Sequence, residues 1–163
     1  MTKTKRTFRP CLALSTLLAT AATAQAHPGH GQAVGFAHGF AHPLGGWDHL
    51  LAMLAVGLWA AQLATGKRNA LWGVPLAFVG TMALGGVLGA AGFPLPAVEA
   101  GIAASVLVLG VLIAAAVRLP LAASMALAGA FALFHGYAHG AEMPLGANGL
   151  EYGAGFVLAT ILL

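Results

Sequence analysis

Charged side chains are scarce in this chain. Only 7% of its 163 residues are charged and only four of them are acidic, whereas soluble domains carry roughly 25% charged residues. Four of the seven Lys and Arg residues lie within the first ten positions, and the other three form no basic patch of the kind that binds nucleic acid. Because 60% of the residues are hydrophobic, the composition excludes a soluble domain and predicts an integral membrane protein embedded in a lipid bilayer.

Enzyme and nucleotide-binding signals are also lacking. The sequence contains no GxxxxGK[ST] loop for binding ATP. If ATP hydrolysis powers this protein, another protein would have to supply it. It shows no nucleophile, base and acid set, and we therefore expect no enzyme. The single cysteine, Cys11, falls in a segment that we expect to be removed. The mature chain should then have neither disulfides nor thiolate ligands.

The N-terminal segment predicts a cleavable signal peptide over residues 1–26. Positive residues precede the apolar run CLALSTLLATAATA, and AQA at 24–26 fits a small-x-small cleavage site. An uncleaved first anchor is the alternative, but the run is short and rich in Ala and Thr. Cleavage would begin the mature chain at His27 outside the cytoplasm and leave 27–34 as a His-containing periplasmic N-terminus.

Five apolar stretches predict an all-α polytopic transmembrane bundle over residues 35–163. They are separated by Gly, Pro or charged residues, and the expected spans are 46–64, 70–91, 98–117, 119–139 and 150–163. The last would reach only about 21 Å as a helix. It is therefore re-entrant, or the C-terminus is truncated and the full bundle has six spans.

Positive loop residues predict the orientation of the bundle. Lys67, Arg68 and Arg118 should lie in the cytoplasm, which agrees with a mature N-terminus in the periplasm and with a bacterial inner (plasma) membrane protein. Gly85 and Gly89 are spaced for close helix packing, although glycine is common in membrane helices. A homo-oligomer is left open.

All seven histidines fall toward the predicted outer side of the membrane. The first group is His27, His30, His38, His42 and His49, and the second is His135 and His139. On one unbroken helix His38 and His49 would share a stripe but lie about 16 Å apart, too far for one metal ion. The segment from Pro43 to Gly46 should break that helix and fold its two parts toward each other.

Two carboxylates accompany these imidazoles. Asp48 precedes His49, where it could ligate metal, orient the ring or cap the following helix. Glu142 continues the spacing of His135 and His139 at i, i+4 and i+7, so the three share a face if the helix continues to Met143. Ionisable groups in a membrane span are expected to face a cavity or a pathway. We therefore predict a metal-binding mouth.

Further ligands are weaker candidates. Met53 lies one turn beyond His49, and Glu99 begins the third span, but a packing methionine and a helix-N-terminal acid are ordinary alternatives. After cleavage, His27 and His30 could form a capture site, since the α-amine and imidazole of His27 can chelate; a disordered tail is the alternative.

The ligand types favour certain ions over others. Imidazole and carboxylate without thiolate suit Ni, Co, Zn or Cu(II). A bis-His haem and a proton relay also use histidines, and the residues alone leave both open.

The segments GFAHGFAHPLGGWDHLLAMLAVGLWA (35–60), FALFHGYAHGAEMP (131–144) and YGAGFVLAT (152–160), preceded by HPGH, resemble the HupE/UreJ family of membrane nickel permeases. The resemblance covers essentially the whole mature chain. It implies a carrier for nickel, or cobalt, that moves the ion from periplasm to cytoplasm for hydrogenase or urease maturation. Ni²⁺ is then cargo, and no organic cofactor is expected. The family's motif residues fall on His38, His42, Asp48, His49, His135, His139 and Glu142. The family usually has a further C-terminal span.

Two other functions stay open at this point. A membrane scaffold or sensor would hold metal without passing it, and metal uptake by vesicles would discriminate the two. An electron-transfer protein would use His42 or His49 with His135 as haem ligands, which an absorbance spectrum would reveal.

Overall fold

The computed structural model describes residues 35–66 and 68–163. The predicted signal peptide 1–26, the N-terminus 27–34 with His27 and His30, and Lys67 lie outside the described residues.

The described residues are helical and contain no strand. The six helices are α1 (Phe36–Ala41), α2 (Trp47–Ala64), α3 (Ala70–Ala90), α4 (Val98–Ala114), α5 (Leu121–Ala141) and α6 (Gly149–Leu162), and a 3₁₀ turn (His42–Leu44) joins α1 to α2. By length and composition α2, α3 and α5 can cross a membrane, whereas α4 and α6 are shorter apolar helices. The all-helical prediction is confirmed.

Most helix ends lie within one residue of the predicted bounds, but α4 ends three residues early and α5 is shifted by two residues at both ends. α4 stops at Ala114, three residues early, because Ala116 turns the backbone into the left-handed region with a φ of 50°. α5 runs to Ala141 rather than 139, and Glu142 caps its end. This extension adds half a turn of helix beyond His139.

Glycines bring α3 and α5 into backbone contact. A Cβ at Gly85 would collide with the Leu133 carbonyl, and one at Gly136 would collide with the Met82 carbonyl. Gly89 and Gly140 make equivalent close approaches one turn further along. The close packing predicted for Gly85 and Gly89 is therefore confirmed.

The two positive loops lie at the same end of the helices. Trp59 donates from Nε1 to the Val117 carbonyl at 3.1 Å, and Gln62 donates from Nε2 to the Ile113 carbonyl at 3.2 Å. The C-terminal ends of α2 and α4 are therefore neighbours, and Arg118 lines a cavity with residues that end α2. Because α2 begins and α5 ends at the opposite end, that end carries the histidines.

An apolar core fills the space between the two ends. Trp59, Val74, Phe78, Met82 and Leu109 are buried and belong to one hydrophobic cluster. In α2 the buried positions recur every three or four residues, as expected for one helix face that packs inward. His49 lies one turn before this buried stripe.

Candidate metal centre

The break between α1 and α2 positions the first group of histidines. α1 ends at Ala41, the 3₁₀ turn contains the buried Pro43, and Gly46 is extended with φ −110° and ψ 121° before α2 begins. Proline cannot supply the amide N–H that a continuing helix needs. The helix break predicted at Pro43–Gly46 is confirmed, and it lets His42 and His49 approach the same helix, α5.

The α5 histidines face this break. The ring centroid of His49 lies 4.7 Å from that of His135 and 4.0 Å from that of His139. The ring centroid of His42 lies 4.7 Å from that of His139. Gly136 and Gly140 follow the two α5 histidines directly, so the contact with α3 lies about 100° around the helix from the imidazoles. The close α3 packing thereby turns His135 and His139 toward α2.

Several ring nitrogens in this cluster are buried without a hydrogen-bond partner among the described residues. Asp48 Oδ1 lies 2.9 Å from His49 Nδ1, which leaves His49 Nε2 unpaired. His135 Nδ1 and both nitrogens of His139 are unpaired as well. Unpaired buried polar atoms are costly, and a divalent cation would bind the one lone pair that each of these neutral imidazoles carries. The donor set therefore fits a metal ion.

A second group of ligand atoms lies at the rim. One atom each from His42, His139 and Glu142 lie within 4.8 Å of one another, and His42 Nε2 is 3.9 Å from Glu142 Oε2. Small side-chain rotations would bring these atoms to the bond lengths of about 2.0–2.2 Å typical of imidazole and carboxylate ligands. α5 stops before Met143, but Glu142 as its cap still reaches the cluster.

The electrostatics of the rim favour neutral imidazole. Burial, and then the nearby His38 and His49, lower the pKa of His42 from its ordinary value of 6.5. Each of these effects disfavours the charged form. His42 thus keeps a lone pair for metal at a pH where a free histidine would be partly protonated.

Exposure decreases from the rim to the interior. The side chain of Glu142 is 62% exposed and that of His42 is 25% exposed, whereas His139 and His135 are 5% and 1% exposed. His135 is also one helical turn, about 6 Å, further along α5 from the rim. The cluster therefore leads inward from solvent-accessible to buried ligands.

Other predicted ligands lie at the edge of this cluster or away from it. His38 is exposed, and its ring is 6.3 Å from that of His42. Met53 is buried in the hydrophobic core, and Glu99 is exposed in the first turn of α4. Met53 therefore occupies the position of a packing residue, and Glu99 that of a helix-N-terminal acid.

The structure adds residues that sequence reasoning missed. Ser105 Oγ lies 2.7 Å from His135 Nε2, the Tyr152 ring lies 5.8 Å from that of His42, and Phe156 packs on His139 with ring centroids 4.3 Å apart. A lone serine inside the apolar stretch GIAASVLVLG was the available signal, because polar residues within spans tend to line functional sites. Tyr152 and Phe156 lie in the segment YGAGFVLAT (152–160) singled out in the sequence, but an aromatic residue in an apolar helix is no specific sign of a ligand site.

The geometry disfavours a haem between these histidines. Two axial imidazoles on opposite faces of a haem have the porphyrin plane between them, whereas the His49 and His135 rings contact each other edge to face. Neutral imidazoles with a carboxylate at the rim instead suit borderline divalent cations.

Comparison with known proteins identifies relatives of the chain. Residues 15–163 match the family described as HupE / UreJ protein. The chain is 49% identical over 146 residues to Protein HupE of Rhizobium leguminosarum bv. viciae, an alignment that covers 90% of this chain and 74% of that protein. No solved structure matches the chain.

Proposed function

This chain belongs to the HupE/UreJ family, and on that premise we propose that it is an inner-membrane permease that carries Ni²⁺, or Co²⁺, from periplasm to cytoplasm. The observation that carries the proposal is the set of buried, unpaired imidazole nitrogens on His49, His135 and His139. In this role the metal is cargo for hydrogenase or urease maturation, and the chain acts as a carrier rather than an enzyme.

In this proposal five helices, α2 to α6, lie in the membrane. The neighbouring ends of α2 and α4, with Arg68 and Arg118 in the loops that follow them, would lie in the cytoplasm, and the histidines would face the periplasm. α4 would reach about 26 Å and α6 about 21 Å, so α6 is the helix most suited to a re-entrant position. Removal of residues 1–26 would place His27 and His30 outside, where they could capture the ion.

The mechanism is a stepwise exchange of water for protein ligands. Glu142 and His42 at the rim take the ion first, and the Glu142 carboxylate offsets part of its charge. His139 then shares the ion, and His49 and His135 receive it in the buried part of the cluster. Each imidazole replaces a water oxygen without adding charge, which limits the cost of burying the cation.

Passage beyond the cluster requires a conformational change. Between His135 and the Arg118 end, the interior is filled by large apolar side chains that include Phe78, Met82 and Trp59. A cation could cross this layer only if helices or side chains moved and admitted ligands or water. We therefore assign the geometry to a state that is closed on the cytoplasmic side of the cluster.

This apolar layer also supports a second candidate function. A scaffold or sensor that holds metal at the periplasmic face would need the cluster but no passage through Phe78 and Met82. The two functions predict different fates for the ion, bound at the surface or released inside.

Radiolabelled nickel accumulation separates these functions. Vesicles that contain the full chain should accumulate nickel in a form released by permeabilisation, and His49→Ala should abolish that accumulation while the protein remains inserted. The matched control is Glu151→Ala, which alters an exposed acid in the first turn of α6. Binding without luminal accumulation would favour the scaffold, and absence of nickel binding would overturn both functions.

A further inference from the structure

A buried serine on α4 contacts the most deeply buried histidine. Ser105 has no exposed surface, and His135 is 1% exposed. The Ser105 Oγ atom lies 2.6 Å from the Ile102 carbonyl oxygen and 2.7 Å from His135 Nε2. Both distances are those of hydrogen bonds.

The count of protons determines the direction of each bond. A serine hydroxyl has one proton, and the Ile102 carbonyl can only accept, so the hydroxyl donates to Ile102. The same oxygen must then accept a proton from His135 Nε2–H. A neutral imidazole that carries its proton on Nε2 has its lone pair on Nδ1, and Nδ1 is the His135 nitrogen left buried and unpaired in the described structure.

The neighbouring histidine is held in the opposite tautomer. Asp48 Oδ1 accepts from His49 Nδ1, so the lone pair of His49 is on Nε2, which is also buried and unpaired. The His49 and His135 rings are in edge contact, with centroids 4.7 Å apart. Each ring thus forms a hydrogen bond through one nitrogen and leaves its other nitrogen unpaired among the described residues.

We propose that Ser105 is a positioning residue that holds His135 in the Nε2–H tautomer and presents Nδ1 as a ligand to the transported divalent cation. The tautomer assignment depends on the hydrogen bonds alone, whereas the role of the cation as transported cargo rests on the proposed function. Because α4 supplies the hydroxyl and α5 the imidazole, the pair also links ligand orientation to the packing of these two helices.

The cost of losing such a partner is substantial. Groups that hold a ligating histidine by its second nitrogen typically change metal affinity by roughly 10–100-fold when removed. We expect Ser105→Ala to weaken nickel binding within that range, and Ser105→Thr, which retains the hydroxyl, to restore most of it.

The chain offers a matched control. Ser124 on α5 is equally buried, but its hydroxyl donates to the carbonyl of Pro120, the residue directly before α5, at 3.2 Å. Ser124→Ala therefore removes the same atom from a similar environment without touching a histidine. It should leave nickel affinity and the His135 tautomer unchanged.

The experiment uses the full chain in detergent with ¹⁵N-labelled histidine, and His135→Asn assigns the ring signals. In metal-free wild type and Ser105→Thr, we expect His135 as the Nε2–H tautomer; in Ser105→Ala, we expect a mixture or the other tautomer. Nickel titration of the same samples should show the affinity loss only in Ser105→Ala. An unchanged tautomer, or wild-type nickel affinity in Ser105→Ala, would overturn the inference. Failure of the wild-type protein to bind nickel would instead overturn the proposed function. The metal-free spectra would still test whether Ser105 sets the His135 tautomer.

Discussion

Replacement of Asp48 tests whether the carboxylate orients a metal ligand or only caps α2. Asp48 Oδ1 accepts from both the backbone N–H and the ring Nδ1 of His49, each at 2.9 Å. Asp48→Ala removes both bonds and frees the ring to rotate or change tautomer. Asp48→Asn retains an acceptor of the same shape but removes the charge.

The geometry gives the expected magnitude. Hydrogen bonds to charged groups contribute about 1.5–3 kcal/mol, and the Asp48 side chain is 48% exposed, so water reduces the value toward the lower end. Since about 1.4 kcal/mol corresponds to tenfold in affinity, we expect Asp48→Ala to weaken nickel binding about tenfold. A neutral hydrogen bond contributes about half as much, so Asp48→Asn should weaken it about threefold.

The assay is nickel titration of purified protein, followed by uptake at limiting nickel in cells that express each variant at equal levels in the membrane. Glu151→Ala is the matched control, because Glu151 is another exposed acid in the first turn of a helix and bonds only to Asn148 among the described residues. Wild-type affinity and uptake in Asp48→Ala would refute the orienting role and leave Asp48 as a helix-N-terminal acid.

Three further predictions follow from the orientation, the rim and the helix packing. Cysteines at Thr65 and Leu119 should be protected from an impermeant thiol reagent added to spheroplasts, whereas one at Pro94 should react; the reverse pattern would invert the topology. Because the pKa of His42 is lowered from 6.5, its neutral form persists to lower pH, and nickel affinity should fall with a midpoint below pH 6.5 as protons compete; a midpoint above 6.5 would contradict this. Gly136→Leu should drive α5 off the α3 backbone, with which even a Cβ would collide, and reduce the folded, membrane-inserted fraction measured by fluorescence-detected gel filtration; unchanged yield and elution would refute the close packing.

Several features of the site were accessible from sequence because their causes are local. The helix break follows from Pro43 and Gly46, whose backbone properties act on their immediate neighbours. The i, i+4 spacing of His135 and His139 places both imidazoles on one face of any helix that contains them. The scarcity of charge made the histidines and carboxylates near apolar stretches candidates, and family motifs pointed to most of the same positions, whereas the uncharged Ser105 was missed.

The sequence by itself determined the helical elements, the membrane character and the concentration of histidines at the end opposite Arg68 and Arg118, because hydropathy, helix periodicity and charge placement act within a segment or between adjacent segments. Only the tertiary structure decided which imidazoles meet and which nitrogen of each is free. Those outcomes depend on backbone contacts between distant segments, such as Gly136 against α3, and on partners from other helices, such as Ser105 for His135. No local pattern encodes such a pairing, because it exists only when several helices pack at once.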